Sequence, residues 1–142
     1  MESENEMHVK KRNGDMEIMA FDKILRRIKK VGAEANIIVN YSTLTMKVID
    51  QLYNGIETSK IDELLGQQCA SLSTSHVDYS NLASRIVISN HMKNTSDSFF
   101  DVMNQLYHYI DIHGIHKELI SKNVWTFILN NKDDLEKMID YS

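Results

Sequence analysis

Asn13-Gly14 is the tightest local constraint on this chain. Flanked by short extended runs, the pair is a strong signal for a two-residue hairpin loop, in which both central positions take positive φ. Lys10, Lys11 and Arg12 stand just before the turn and Glu17 just after it. A hairpin therefore gathers cations and one carboxylate on a small rigid platform. Cations suit phosphates and a carboxylate accepts from an exocyclic amine, so such a platform suits a nucleotide.

The rest of the chain reads as helical. Its 142 residues include no proline and five glycines, so breaks are read from capping residues and periodicity. Asp22 caps or opens a helix to about Ala33, with Ile24, Ile28 and Val31 on one face. Ser42 is the expected cap of a second helix, striped by Val48, Ile49, Leu52 and Tyr53 and stopped at Gly55. Thr58 or Ser59 caps a third, with Ile61, Leu64, Leu65, Cys69 and Leu72 along one side. Asp78 caps a fourth, with Leu82, Ala83, Ile86 and Val87 inward. Four such helices with short connections make a bundle, and the hairpin must cap one end to bury Val9, Ile18 and Phe21. The fold class is therefore mainly α, of α+β type. After residues 94–96 three more helices are expected. The first carries Phe99, Val102, Met103, Leu106, Tyr107 and Ile110, the second Leu119, Ile120, Val124, Phe127 and Ile128, and the third Leu135, Met138 and Ile139. They have no evident closing partner and look like the start of something larger. The division is 1–6 as a disordered acidic lead-in, 7–95 as one domain and 96–142 as the opening of another.

Charge narrows the ligand. Net charge is −4, yet residues 10–30 hold eight Lys/Arg against three acids. A confined basic patch on an otherwise acidic chain points to a small anion and away from a nucleic-acid surface. Arg26 to Lys30 by themselves read as a solvated helix face. No apolar run is long enough to span a bilayer and no signal-peptide pattern opens the chain, so a soluble, cytoplasmic protein is expected.

Catalytic parts are not found. No Walker motif, dinucleotide fingerprint or nucleophile elbow occurs. His108, His113 and His116 lack the cysteine or acidic partners of a metal site. Cys69, the single cysteine, excludes an internal disulfide and falls on an apolar stripe, so it reads as a buried structural thiol. Tyr107 and Tyr109 read as packing residues.

Three stretches go further than periodicity: MHVKKRNGDMEIMAFDKI, TLTMKVIDQLYNGIETSKIDEL and HVDYSNLASRIVISNHMK. In order and spacing they resemble the ATP-cone region that opens the large subunit of class I ribonucleotide reductase, nearest the eukaryotic and viral branch. SDSFFDVMNQLYHYID and ILNNKDDLEKMIDYS resemble the first helices of that subunit's helical domain, so the resemblance covers about residues 7–142. Departures are the acidic extension and Val77, where the family usually has proline.

The resemblance implies a hairpin sheet over a four-helix bundle that binds ATP or dATP as an allosteric effector. Lys11 and Arg12 match the hairpin cations that meet the phosphates, and Lys93 a second phosphate-binding lysine. Glu17 matches the adenine-recognising carboxylate, and Glu17, Ile18, Met19, Ala20, Phe21, Asp22 and Lys23 the pocket wall. Val48 matches an apolar wall, Thr58 a polar contact and Asp62 the position near the ribose. Lys11, Arg12 and Lys93 oppose the triphosphate, with Mg2+ offsetting the remaining charge. Implied partners are the rest of the large subunit, the radical-generating small subunit and further copies of the chain through the cone helices, with no nucleic acid and no membrane. ATP would activate, and dATP inhibit, through subunit assembly. The family's reaction needs several cysteines in a large barrel, so a chain with Cys69 alone reads as a regulatory piece, excised or separately encoded. Nucleotide-sensing repressors also carry a cone but need paired CxxC motifs. The remaining alternative is a helical interaction module whose cone has lost its ligand.

Overall fold

The computed structural model describes residues 6–141, and the first five residues, on which most of the expected disordered lead-in falls, lie outside them. Among the described residues there are three short strands and seven helices. Contacts divide the chain into two units, one ending at Asn94 and one starting at Thr95.

In the first unit, β1 (His8–Lys10) and β2 (Met16–Ile18) pair antiparallel, with Val9 opposite Glu17. The loop between them differs from the two-residue turn expected. Gly14 N–H donates to Lys11 O and Lys11 N–H to Asp15 O, a wider loop in which only Gly14 takes positive φ (92°). That is a type I turn followed by a left-handed glycine, a geometry the same Asn-Gly pair accommodates. Asn13 Oδ1 accepts from the Asp15 N–H and closes it. A third strand, β3 (Ile56–Glu57), joins β1 in parallel, giving the order β2-β1-β3.

Four helices complete this unit: α1 (Phe21–Ala33) and α2 (Tyr41–Ile49) before β3, and α3 (Thr58–Ser71) and α4 (Val77–Asn94) after it. Ile24, Ile28 and Val31 of α1 are buried at helical spacing, as are Ile61, Leu65 and Cys69 of α3 and Leu82, Ala83 and Ile86 of α4. Leu44 and Val48 of α2 and Ile56 of β3 complete one core. Fully burying each of the valines, leucines and isoleucines among them is worth about 1.5–3 kcal/mol. Gly66 lets α3 approach α4 closely, since a Cβ there would stand 3.1 Å from Val87.

Several local expectations are corrected. Asn40, not Ser42, caps α2, its Oδ1 accepting from the Thr43 N–H. Neither Thr58 nor Ser59 caps α3, because β3 runs directly into it. Asp78 lies inside the first turn of α4. Ile18 (56% exposed) and Phe21 (44%) stay outside the core, and Met19 (9%) is buried instead. A single sheet layer turns only one of its two faces to the bundle, and Phe21 is the first residue of α1. Val87 flanks the α3/α4 seam and is exposed.

The second unit holds α5 (Phe99–Tyr107), α6 (Lys122–Asn130) and α7 (Lys132–Met138). Trp125 and Ile128 are buried, with Tyr107 stacked on Trp125 at 5.3 Å and Phe100 at 5.5 Å. Leu119 and Ile120 precede α6 and Ile110 follows α5, so none extends a helical stripe. Between these helices Asp111 Oδ1 accepts from the N–H groups of His113 and Ile115, and Gly114 takes φ 76°, a turn that periodicity does not announce.

Candidate functional site

Arg12 stands in the hairpin loop, and the sheet carries it to the C-terminal end of α4. Its Nε donates to Asn94 Oδ1 at 2.8 Å, and its Nη2 to Asn90 Oδ1 at 2.5 Å and Asp62 Oδ2 at 3.4 Å. Asp62, on the second turn of α3, is buried (5% exposed) and is shared by two guanidinium groups. Arg27 of α1 forks onto it, Nε to Oδ1 at 3.4 Å and Nη2 to Oδ2 at 3.3 Å, while Nη2 also donates to Ser89 Oγ at 2.9 Å. One carboxylate thus ties the hairpin, α1 and α3 together, and one negative charge faces two fixed positive ones.

Lys93, one turn from Asn90 on α4, adds a third cation. Burial, and next the charge of Arg27, hold its ammonium below the ordinary lysine value; Arg12 and Lys30 act the same way and Asp62 opposes them. Among the described residues it has no carboxylate at ion-pair distance. An anion placed here would remove that penalty.

Glu17 lies on the other side. Lys11 pairs with it at 2.6 Å and Lys23 bonds its other oxygen. Hydrogen bonds from Lys11 and then Lys23 lower its carboxyl from 4.5 to about 2. It therefore remains an ionised acceptor with lone pairs to spare. A carboxylate lowered by folding stabilises the native state above its unfolded value, and this is lost as pH falls from about 4.5 to about 2. Glu17→Gln is expected to flatten that acid limb, read as a smaller drop in urea midpoint between pH 6 and pH 3 than in the parent. An identical drop in both would contradict the pairing.

These groups surround two adjoining cavities that share Arg12, Thr58 and Lys93. One, about 210 Å³, is largely apolar, walled by Val9, Ile18, Met19, Ala20, Ile24, Ile61 and Leu65, with Glu17, Lys23, Arg27 and Asp62 at its polar positions. The other, about 500 Å³, is polar and lined by Lys10, Lys11, Arg12, Asn13, Gly14, Glu57, Thr58, Ser59, Lys93 and Asn94. Thr58 and Ser59 begin α3, which has no side-chain cap, so its positive end opens on the polar cavity.

Of the residues singled out from sequence, Lys11, Arg12, Glu17, Ile18, Met19, Ala20, Lys23, Thr58, Asp62 and Lys93 line one or both cavities. Three do not. Val48 is fully buried in the core, because the stripe of α2 packs on α1 and α3. Phe21 and Asp22 open onto a separate shallow depression with Ser42, Thr45 and Met46. Lys23 and Arg27, four residues apart, share the face of α1 that lines the apolar cavity, and Phe21, Asp22 and Leu25 share another. Asp62, expected near a ribose, is already engaged by both arginines. Sequence reasoning missed Arg27, read as part of a solvated face; its spacing from Lys23 was the available signal. It also missed Asn90 and Asn94, which share a helix face with Lys93.

Elsewhere, His108 Nδ1 lies 3.0 Å from Asn104 O and His116 Nε2 2.8 Å from Tyr107 O, so backbone carbonyls hold both rings. Among the described residues no group of three His, Cys, Asp or Glu is arranged to hold a metal ion. Cys69 is buried, which pushes its thiol up to about 12. Tyr109 is exposed, unlike the packed Tyr107. No helix among the described residues is long and apolar enough to cross a membrane.

The first unit is thus a short sheet over a four-helix bundle, with an apolar slot beside a cationic one. Residues 7–94 match the family model described as the ATP cone domain, and the chain belongs to that family. It is similar to the ribonucleoside-diphosphate reductase large subunit of Plasmodium falciparum (isolate Dd2), 44% identical over 136 residues, 96% of this chain and 17% of the relative. The large chain of Cryptosporidium parvum is 43% identical over 136 residues, again 96% and 17%. The large subunit of Danio rerio is 42% identical over 137 residues, 95% and 17%. The chain spans about a sixth of the length of these relatives.

Proposed function

We propose that this cone binds ATP or dATP without hydrolysing it and acts as the allosteric activity switch of a ribonucleotide reductase large subunit. The observation that carries this reading is the pair of cavities joined at Arg12, Thr58 and Lys93. Adenine and ribose suit the apolar slot, where Glu17 accepts from the exocyclic amine and Ile18 and Met19 offer apolar walls. The triphosphate suits the polar slot, where Arg12, Lys93, Lys11 and the open N-terminus of α3 offer donors and positive potential. Mg2+ would be held by the phosphates and water, as is usual for that ion.

Regulation follows from coupling. The ligand would touch the hairpin, α1, α3 and α4 at once, so occupancy changes how these elements are held together. In the longer protein, ATP would favour, and dATP disfavour, the assembly in which the radical-generating small subunit works, with self-association through the cone helices as the alternative state. The effector must then bind the two assemblies unequally. Discriminating ATP from dATP means reading one 2′-hydroxyl, and Asp62, with Arg12 and Arg27 already bound to it, stands where such a hydroxyl would enter an existing network. Calorimetry with ATP, dATP and GTP tests the reading. Binding of both adenine nucleotides at micromolar to millimolar concentration, with GTP much weaker, is expected. Equal binding of all three, or of none, would contradict it and favour a helical module that has lost its ligand.

A further inference from the structure

Arg12 is held in an unusual way for a surface-loop arginine. Two neutral carboxamides, Asn94 and Asn90, accept from its Nε and Nη2 at 2.8 and 2.5 Å. They lie four residues apart on α4, with Lys93 between them. Asn90 is itself buried (7% exposed), and its Nδ2 donates to Ser59 O at 3.3 Å, which ties the acceptor to the first turn of α3. No hydrogen bond involves Nη1 of Arg12 among the described residues. We propose that Asn90 and Asn94 are positioning residues that aim the free edge of Arg12 at the nucleotide's phosphates and thereby set a preference for triphosphates over monophosphates. This rests on the nucleotide reading above.

The chemistry of the acceptors is the reason. A carboxylate at either position would fix the guanidinium equally well but would cancel its charge. A carboxamide fixes it and leaves the charge available. Among the described residues the one carboxylate paired with Arg12 is Asp62, which is shared with Arg27, so the cluster of Arg12, Arg27 and Lys93 keeps a net positive charge. Holding a long side chain in place before the ligand arrives also removes an ordering cost from binding. The benefit should grow with the number of phosphates, because each further phosphate adds negative charge against this cluster. A purely structural pair would support the fold without any dependence on phosphate number.

Asn94→Asp is the sharpest test. The side chain keeps its shape and still accepts from Arg12 Nε, it is exposed, and it adds one negative charge beside Arg12 and Lys93. Affinities for ATP and AMP are measured by calorimetry on the full chain and on this variant. ATP binding is expected to weaken about tenfold or more, and AMP binding by less than about threefold, with the gap narrowing as salt is raised. Asn90→Ala is expected to shift the ATP-to-AMP ratio in the same direction; should it fail to fold, Asn94→Asp carries the test. An unchanged ATP-to-AMP ratio in Asn94→Asp, with the parent preferring ATP, overturns the positioning role and leaves the nucleotide reading standing. A parent that binds neither nucleotide overturns both.

Discussion

Arg12→Ala is expected to weaken ATP binding by roughly 30- to 100-fold while the helical circular dichroism stays as in the parent. The size follows from losing charge-assisted hydrogen bonds to phosphate, each worth about 1.5–3 kcal/mol. The fold is spared for specific reasons. Asp62 keeps its fork to Arg27, Asn90 keeps Ser59 O, and Arg12 stands in a loop outside the core. Adding Lys11→Ala should deepen the loss, although Lys11 also pairs with Glu17 and its removal alters the base end of the site. Titration of both variants with ATP checks this, and an affinity within about twofold of the parent would move the phosphates elsewhere.

Leu65→Ala is expected to destabilise the first unit by about 2–5 kcal/mol, the range for deleting a fully buried leucine side chain. Leu65 is 1% exposed and lies at the centre of α3, the helix packed against both α2 and α4. It also floors the apolar cavity, so the truncated side chain enlarges the slot proposed for adenine. Urea unfolding followed by circular dichroism reads the loss as a lower midpoint. A shift below about 0.5 kcal/mol would mean that this helix is not the core element described.

Much of this architecture was legible beforehand, and particular residues explain why. Ile24, Ile28 and Val31 recur at helical spacing because one face of α1 must be buried, and a pattern imposed by burial survives in sequence. Lys11, Arg12 and Glu17 were legible because a short hairpin leaves few places for charge. β3 was not: two residues carry no period, and its partner Val9 lies far away in sequence. The hairpin loop was misjudged since Asn-Gly serves a two-residue turn and a wider one equally. Ile18 and Met19 are adjacent, and only the docked sheet decides which enters the core. Arg27 was concealed in a run of exposed cations, and nothing local shows that Asp62 and Ser89 wait across the bundle. Asn90 and Asn94 carry no charge, so no electrostatic pattern marks them, although their geometry governs Arg12.

In the function proposed above, an adenine nucleotide spans the two joined cavities. A crystal structure of the chain grown with ATP and Mg2+ tests it most directly. Adenine is expected within hydrogen-bond distance of Glu17 and the phosphates against Arg12 and Lys93. Density for the nucleotide at any other surface, with both cavities empty, would contradict it.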